Sequence, residues 1–202
     1  MHLIALSGKK GSGKSTCGKY LVEQYGFKEL SFAWPLKEII RLCFGFTENQ
    51  INGSEKEAVD SEWGFSYRWV ATMLGETLFR QIFGAILVEK GVLESEQVND
   101  FWILCLQKKF KALKEEGPPG VVITDLRYKN EWEWVKEQMG LVVRVERPGL
   151  ISTSLHISEI DLDDPILWDR VIVNVNDDYK TFLDTLIEEL DYGTEPNGTS
   201  SI

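Results

Sequence analysis

Three glycines spaced three and two residues apart, caught between an apolar run and a helical one, constrain this chain more than any other feature of it. His2 to Leu6 reads as a short buried strand, and Lys14 to Tyr25 as a helix with Cys17, Tyr20, Leu21 and Gln24 at helical spacing. Across them runs Leu6-Ser7-Gly8-Lys9-Lys10-Gly11-Ser12-Gly13-Lys14-Ser15-Thr16. Strand, glycine-rich loop and helix in that order match a P-loop, so the chain is expected to bind a nucleotide phosphate. Gly8, Gly11 and Gly13 permit backbone angles that side chains forbid, so the N–H groups of the loop, Lys10 and Ser12 among them, can turn inward around a phosphate. Lys14 supplies positive charge and Ser15 offers a hydroxyl to Mg²⁺. The helix that opens through Ser15 and Thr16 points its positive dipole end at the same phosphates. A glycine-rich turn with no ligand is the alternative.

The chain has 202 residues, 43% of them hydrophobic, which suits one domain with a real core and room for a small inserted subdomain. No apolar run is read as approaching the ~20 residues that span a bilayer. Met1-His2-Leu3 leads into a core strand and not into a cleavable signal, so a cytoplasmic protein without a membrane partner is expected. Cys17, Cys43 and Cys105 are too scattered for a disulfide framework or a zinc site and read as buried reduced thiols. A net charge of −10 argues against a nucleic acid polymer as partner, because a phosphate backbone calls for a basic face. A small phosphorylated ligand needs only a few local cations, and Lys14, Arg68, Arg80, Arg127 and Arg147 could supply them.

Beyond the first helix, Lys28 to Phe32 reads as a strand, and Pro35 suits the first turn of a helix ending near Phe44. Thr47 to Gly64 is polar and turn-rich, the composition of a mobile lid or insert. Helical spacing predicts helices over Ser66 to about Glu89 and over Ser95 to about Glu115, so the insert is placed at about 45–116 within a domain of 1–192. Gly117-Pro118-Pro119-Gly120 stops the helix, and Val121-Val122-Ile123-Thr124-Asp125 follows as an apolar strand ending in an acid. Asn130 to Met139 reads as a helix, Leu141 to Val145 and Val171 to Val175 as strands, Tyr179 to Leu190 as the last helix, and 193–202 as a disordered tail. Strands alternating with helices predict an α/β fold: a three-layer arrangement with a parallel sheet flanked by helices.

In such a sheet, ligands sit beyond the carboxyl ends of the strands. The P-loop, Phe32-Ala33-Trp34, Asp125-Leu126-Arg127 and Asn174-Val175-Asn176 all lie at such ends and are expected to converge on one cleft. Asp125 suits the acid that holds Mg²⁺; a helix cap is its other reading. Arg127 can project over the same cleft and neutralise phosphate charge, with Arg68 gripping a second phosphate, since guanidinium forks match phosphate oxygens. A surface salt bridge is the plain alternative for either. Trp34 can stack on a base or pack in the core, and His156 can touch a ligand or serve the fold.

Together these segments resemble the viral, bacteriophage-type deoxynucleoside monophosphate kinase family of the P-loop nucleoside monophosphate kinase superfamily. The matching pieces after the P-loop are Phe32-Ala33-Trp34-Pro35-Leu36-Lys37, Ser66-Tyr67-Arg68, and Leu74-Gly75 with Arg80. They continue in Asp125-Leu126-Arg127-Tyr128 with Asn130-Glu131, Arg147-Pro148, His156-Ile157-Ser158-Glu159, and Asn174 before the final helix. The resemblance implies ATP-dependent phosphorylation of deoxynucleoside monophosphates to diphosphates on a P-loop kinase fold with a helical substrate-binding or lid insert. Under it Lys14, Arg127, Asp125 and Arg68 carry the chemistry, and Ser15 and Asp125 hold Mg²⁺. ATP lies along Gly8 to Thr16, with Asn174 and Asn176 near its adenine. The acceptor meets Phe32, Trp34, Lys37, Arg68, Arg80, Tyr128, Asn130, Glu131, His156 and Glu159. Glu76-Thr77-Leu78-Phe79-Arg80 departs from the family's usual Thr-Glu-x-Gly-Arg run, and Met73 stands where the family often has Gln. A homodimer in the cytoplasm of an infected host also follows from the resemblance alone. Kinases for another small acceptor, such as dephospho-coenzyme A or phosphomevalonate, share the same donor site, and a nucleotide sensor without transfer is the rival from another class.

Overall fold

Strand β1 (His2–Ser7) takes the centre of the sheet because its residues from Leu3 to Leu6 have nothing but apolar surface to offer and neighbours on both edges. The structure, a computed structural model, describes residues 1–150, 156–175 and 178–192. Asn176 and the tail 193–202 lie outside them. The remaining strands are β2 (Lys28–Leu30), β3 (Gly120–Ile123), β4 (Leu141–Glu146) and β5 (Arg170–Val173), in the order β2-β3-β1-β4-β5. The pairs β1/β3, β1/β4 and β4/β5 are parallel, with Leu3 opposite Val121, Leu6 opposite Val143 and Val145 opposite Ile172. β1 therefore feeds α1 (Lys14–Tyr25) between two neighbours that come from later in the chain, and the loop at its carboxyl end opens where the strand order reverses.

Helix α1 packs on α9 (Tyr179–Tyr192) and on the sheet, while α7 (Lys129–Glu137) packs on β4. The core between α1, α9 and the sheet includes Ile4, Leu6, Val122, Val143, Val145 and Ile172 from the strands, Cys17 and Leu21 from α1, and Leu183, Leu186 and Ile187 from α9. Gly18 lets α1 approach this closely, since a Cβ there would stand 2.3 Å from the Thr124 methyl. Two strands are shorter than the residue pattern suggests. β2 ends at Leu30 because Trp34 N–H turns back to the Ser31 carbonyl at 3.2 Å, and β3 ends at Ile123, which leaves Asp125 on the following loop.

The chain divides by packing into two compact units, Met1–Glu29 with the chain from Leu113 on, and Leu30–Ala112. In the second unit α2 (Trp34–Phe44) is followed by the short α3 (Glu48–Ile51), which Thr47 and Gln50 close with a reciprocal capping box. Polar Thr47–Gly64 carries α3 and a turn organised by Asp60, whose carboxylate accepts from Glu62 N–H, Trp63 N–H and Gln50 Nε2. Next comes a continuous helical run: α4 (Tyr67–Thr72), a π-helical stretch Met73–Phe83, and α5 (Gly84–Glu89). The apolar spacing predicts an ordinary α-helix here. The wide middle coincides with the Gly75 carbonyl accepting the Trp102 indole N–H at 3.0 Å, a side chain engaging the backbone ladder. Helix α6 (Phe101–Glu116) starts later than Ser95, which belongs to a separate 3₁₀ turn (Ser95–Gln97). Phe79, Phe83, Phe101 and Trp102 form one aromatic cluster, and Phe44, Phe46, Trp63, Phe65 and Trp69 a second.

Two readings of the bulk sequence change. Tyr67–Glu89 is 23 residues long with mean hydropathy 1.2 in its most apolar window, so by length and composition it could cross a bilayer, contrary to the expectation that no such run exists. One such helix is weak evidence for a span, and this one carries Arg80 at its middle, buried and donating to the Asn99 carbonyl at 3.0 Å. All three cysteines are free, but Cys43 is exposed and Cys105 half-buried, so only Cys17 is the buried thiol expected of them.

Candidate active site

The loop between β1 and α1 has the backbone a phosphate cradle needs. Gly8, Gly11 and Gly13 all have positive φ, at 144°, 85° and 108°. At the first and last, a side chain is excluded by space as well. A Cβ on Gly8 would lie 2.3 Å from the Val145 carbonyl oxygen, and one on Gly13 would lie 2.2 Å from Asn174 Nδ2. That second approach has a purpose visible in the hydrogen bonds: Asn174, just past β5, donates from Nδ2 to the Ser12 carbonyl at 2.8 Å. The amide at the end of the last strand thus fixes the Ser12–Gly13 peptide. Ser12 is 1% exposed, and its Oγ has no hydrogen-bond partner among the described residues.

Lys14 folds inward at the start of α1, 8% exposed, and donates to the Gly8 carbonyl at 2.6 Å and the Lys9 carbonyl at 2.9 Å. Burial, then the positive charges of Arg127 and Arg144, depress its pKa to about 8, against the opposing pull of Glu159 and Asp125. A cationic ammonium is thus held there at a cost that an anion beside it would relieve. Ser15 and Thr16 are exposed in the same first turn. Asp125 is half-buried on the loop after β3, near enough for its charge to act on Lys14. A hydroxyl and one carboxylate suit Mg²⁺, which keeps several waters and phosphate oxygens in its shell. Among the described residues no group of three or more His, Cys, Asp or Glu gathers to hold a metal by itself.

Arg127 lies near enough for its charge to act on Lys14 and is tied to the P-loop through Glu159. Its Nη1 pairs with Glu159 and donates to the Ser158 carbonyl at 3.1 Å. Helix α7 begins at the next turn, where Glu131, 1% exposed, accepts from the backbone N–H groups of Arg127 (3.0 Å) and Tyr128 (3.2 Å). The carboxylate that the resemblance gives to the acceptor is in this structure a cap that shapes the Arg127 loop. Tyr128 and Asn130 are half-buried at the same helix start. His156 is exposed and uses Nδ1 to accept from Ser158 N–H, capping the short α8 (Ile157–Ile160). Of its two readings, the structure displays the local one.

The other residues expected to meet the acceptor belong to the second unit. Phe32 is 3% exposed in its core. Trp34 is 45% exposed and so does not pack in a core; Lys109 Nζ sits 3.6 Å above its ring. Lys37 is half-buried on α2. Arg68 is exposed and pairs with Glu57 through Nε at 3.1 Å, and Arg80 is the buried partner of Asn99 described above.

Residue spacing missed one feature of the first unit. An open cavity of about 470 Å³ is lined by Thr16, Lys19, Tyr20, Glu23 and Gln24 of α1 and by Tyr179 and Lys180. Tyr20 and Tyr179 meet edge to face with centroids 5.9 Å apart. By sequence Tyr20 is only part of a helical stripe, because nothing local tells that α9 brings a second ring beside it.

Geometry and chemistry together define a protein that binds and handles phosphoryl groups. Comparison with known proteins narrows this. The family model described as deoxynucleotide monophosphate kinase matches residues 2–66. A protein of Acanthamoeba polyphaga mimivirus whose description names a deoxynucleotide monophosphate kinase is 33% identical over 201 residues, covering 98% of this chain and all of that one. The chain belongs to the deoxynucleotide monophosphate kinase family. Among solved structures it is similar to a dephospho-CoA kinase from Campylobacter jejuni, with 17% identity, a TM-score of 0.48, and 96% and 98% of the two chains covered. A shikimate kinase from Acinetobacter baumannii in complex with shikimate is similar at 14% identity and a TM-score of 0.47, covering 97% and 96%. At those scores the fold rests on the strand order and register themselves.

Proposed function

We propose the following division of labour for the family's reaction, in which this kinase moves the γ-phosphoryl group of ATP to the phosphate of a deoxynucleoside monophosphate. The acceptor phosphate is already a nucleophile near neutral pH, so the protein needs no general base and works by positioning and charge stabilisation. The P-loop amides and Lys14 hold the donor phosphates. Arg127 neutralises charge on the group in transit. Mg²⁺, which would be held by Ser15 and Asp125, supplies further neutralisation of the phosphate oxygens when bound. The donor nucleoside extends from Thr16 into the cavity beside Tyr20 and Tyr179, and Asn174 serves it indirectly by fixing the Ser12–Gly13 peptide. Arg68, Trp34 and Lys37 are assigned to the acceptor, and the helical Leu30–Ala112 unit to substrate binding and closure.

The observation that carries this reading is Lys14, buried against the Gly8 and Lys9 carbonyls and in the field of Arg127. It is tested by incubating the protein with Mg·ATP and each deoxy- and ribonucleoside monophosphate and separating the diphosphates formed. Deoxynucleoside diphosphates, absent with Lys14→Ala, are the expected products. ATP binding without any diphosphate would return the sensor reading. Sedimentation at working concentration tests the homodimer that the family resemblance implies.

A further inference from the structure

Glu159, on α8, and Asp163, just beyond it, grip the P-loop from one side. Oε2 of Glu159 accepts the backbone N–H of Lys10 at 3.0 Å, and Oε1 pairs with Arg127 Nη1. Lys9 Nζ donates to both the Glu159 carbonyl and the Asp163 carboxylate, whose other oxygen holds Arg144 Nη2 at 2.8 Å. The Glu159 side chain is only 10% exposed. Burial pushes its carboxyl up, but the Arg127 hydrogen bond, the Lys10 amide and the charges of Arg127 and Lys14 together hold it below the usual carboxylate range. An ionised group with two oxygens therefore bridges a P-loop amide and a guanidinium. Two oxygens of a phosphoryl group would take the same two donors, with more charge to offer them.

We infer that Glu159 is a positioning residue: it holds Arg127 and the Lys10 amide in place while the cleft is empty and yields both donors to a phosphoryl group when nucleotide binds. The inference rests on the reading that the P-loop and Arg127 bind phosphate. It has two consequences of opposite sign. As a competitor for the same donors, Glu159 weakens binding of polyphosphate. As the residue that keeps Arg127 aimed at the loop, it speeds transfer. A residue that served only the fold would, on removal, impair both.

The test is calorimetric binding of inorganic triphosphate to the full chain, alongside steady-state kinetics. Glu159→Gln is expected to bind triphosphate about tenfold more tightly than the parent and to turn over several-fold more slowly, so that KM for ATP and kcat both fall. The gain in binding should vanish in an Arg127→Ala background, because Arg127 is the donor set free. Glu159→Asp, which keeps the charge but is too short to reach both donors, should bind two- to threefold more tightly. It decides the matter if the Gln variant does not fold. Equal or weaker triphosphate binding by these variants, with binding still lost in Lys14→Ala, would make Glu159 a structural tie and leave the phosphate site standing. Triphosphate binding that Lys14→Ala does not alter would overturn the inference and the phosphate site together.

Discussion

The two units of this chain hold their candidate residues in different ways. Around the P-loop nearly every such group is engaged with another: Lys14 with two loop carbonyls, Asn174 with Ser12, Arg127 with Glu159, and Glu131 with the Arg127 and Tyr128 amides. In the Leu30–Ala112 unit the candidates have separate circumstances: Arg68 in an exposed pair, Arg80 serving a helix connection, and Trp34 exposed under a lysine. The contrast fits the two tasks. A phosphoryl donor is the same triphosphate in every turnover, so its site can be built in advance from backbone and fixed charge. An acceptor that must enter, react and leave suits side chains that acquire partners on binding.

Substitutions can break this contrast or sharpen it. Lys14→Ala should cost on the order of 10³-fold in turnover while the melting curve stays cooperative, because the charge leaves a cradle that the glycines still shape. Arg127→Ala should lower turnover by roughly 10³-fold with less than about tenfold loss of ATP affinity, as expected of a group acting mainly on the phosphoryl in transit. Equal loss of binding and rate would place it in the ground-state site. Asn174→Ala frees the Ser12 carbonyl and should raise KM for ATP by about fivefold, consistent with one hydrogen bond of ~1 kcal/mol; an unchanged KM would remove the last strand from the cradle.

The depressed pKa of Lys14 predicts a pH dependence of definite sign. Between about 8 and the ordinary lysine value of 10.5 the unfolded chain keeps a proton that the ligand-free folded protein releases. Through that window Lys14 therefore makes the ligand-free protein more stable as pH rises, and Lys14→Met should remove this component from its melting profile. ATP, which favours the ammonium, should bind with proton uptake there and more weakly as pH climbs. The smallest effect is expected at Arg68→Ala. Its exposed pair with Glu57 should change stability by less than about 1 kcal/mol, so a clear rise in KM for the acceptor would report substrate contact and nothing else.

How far the sequence was legible follows the range of the interactions. The β1–loop–α1 unit could be read from residues 2–25 because strand period, glycine positions and helix period are all local. Alternation of strands and helices likewise announced a parallel α/β sheet. The π-helical stretch could not be read, since its apolar residues also satisfy helical spacing and Trp102, whose indole meets the Gly75 carbonyl within it, approaches from another helix. Asp125 stands out by its residue type, but the end of its strand does not, as apolar residues do not mark where pairing stops. Least legible were Glu159 and Asp163. The resemblance picks out Glu159 but gives it to the acceptor, and nothing distinguishes Asp163 from a surface acid until the fold carries the two to Lys9, Lys10 and Arg144, some 150 residues away for the lysines.

The central claim is that a preformed cradle and Arg127 transfer phosphate to an acceptor and not to water. It is tested most directly by measuring ADP release from Mg·ATP with and without deoxynucleoside monophosphates, for the parent protein and Arg127→Ala side by side. The account predicts release that requires the acceptor and collapses in the variant although ATP still binds. Release that is indifferent to the acceptor, or that survives loss of Arg127, would contradict it.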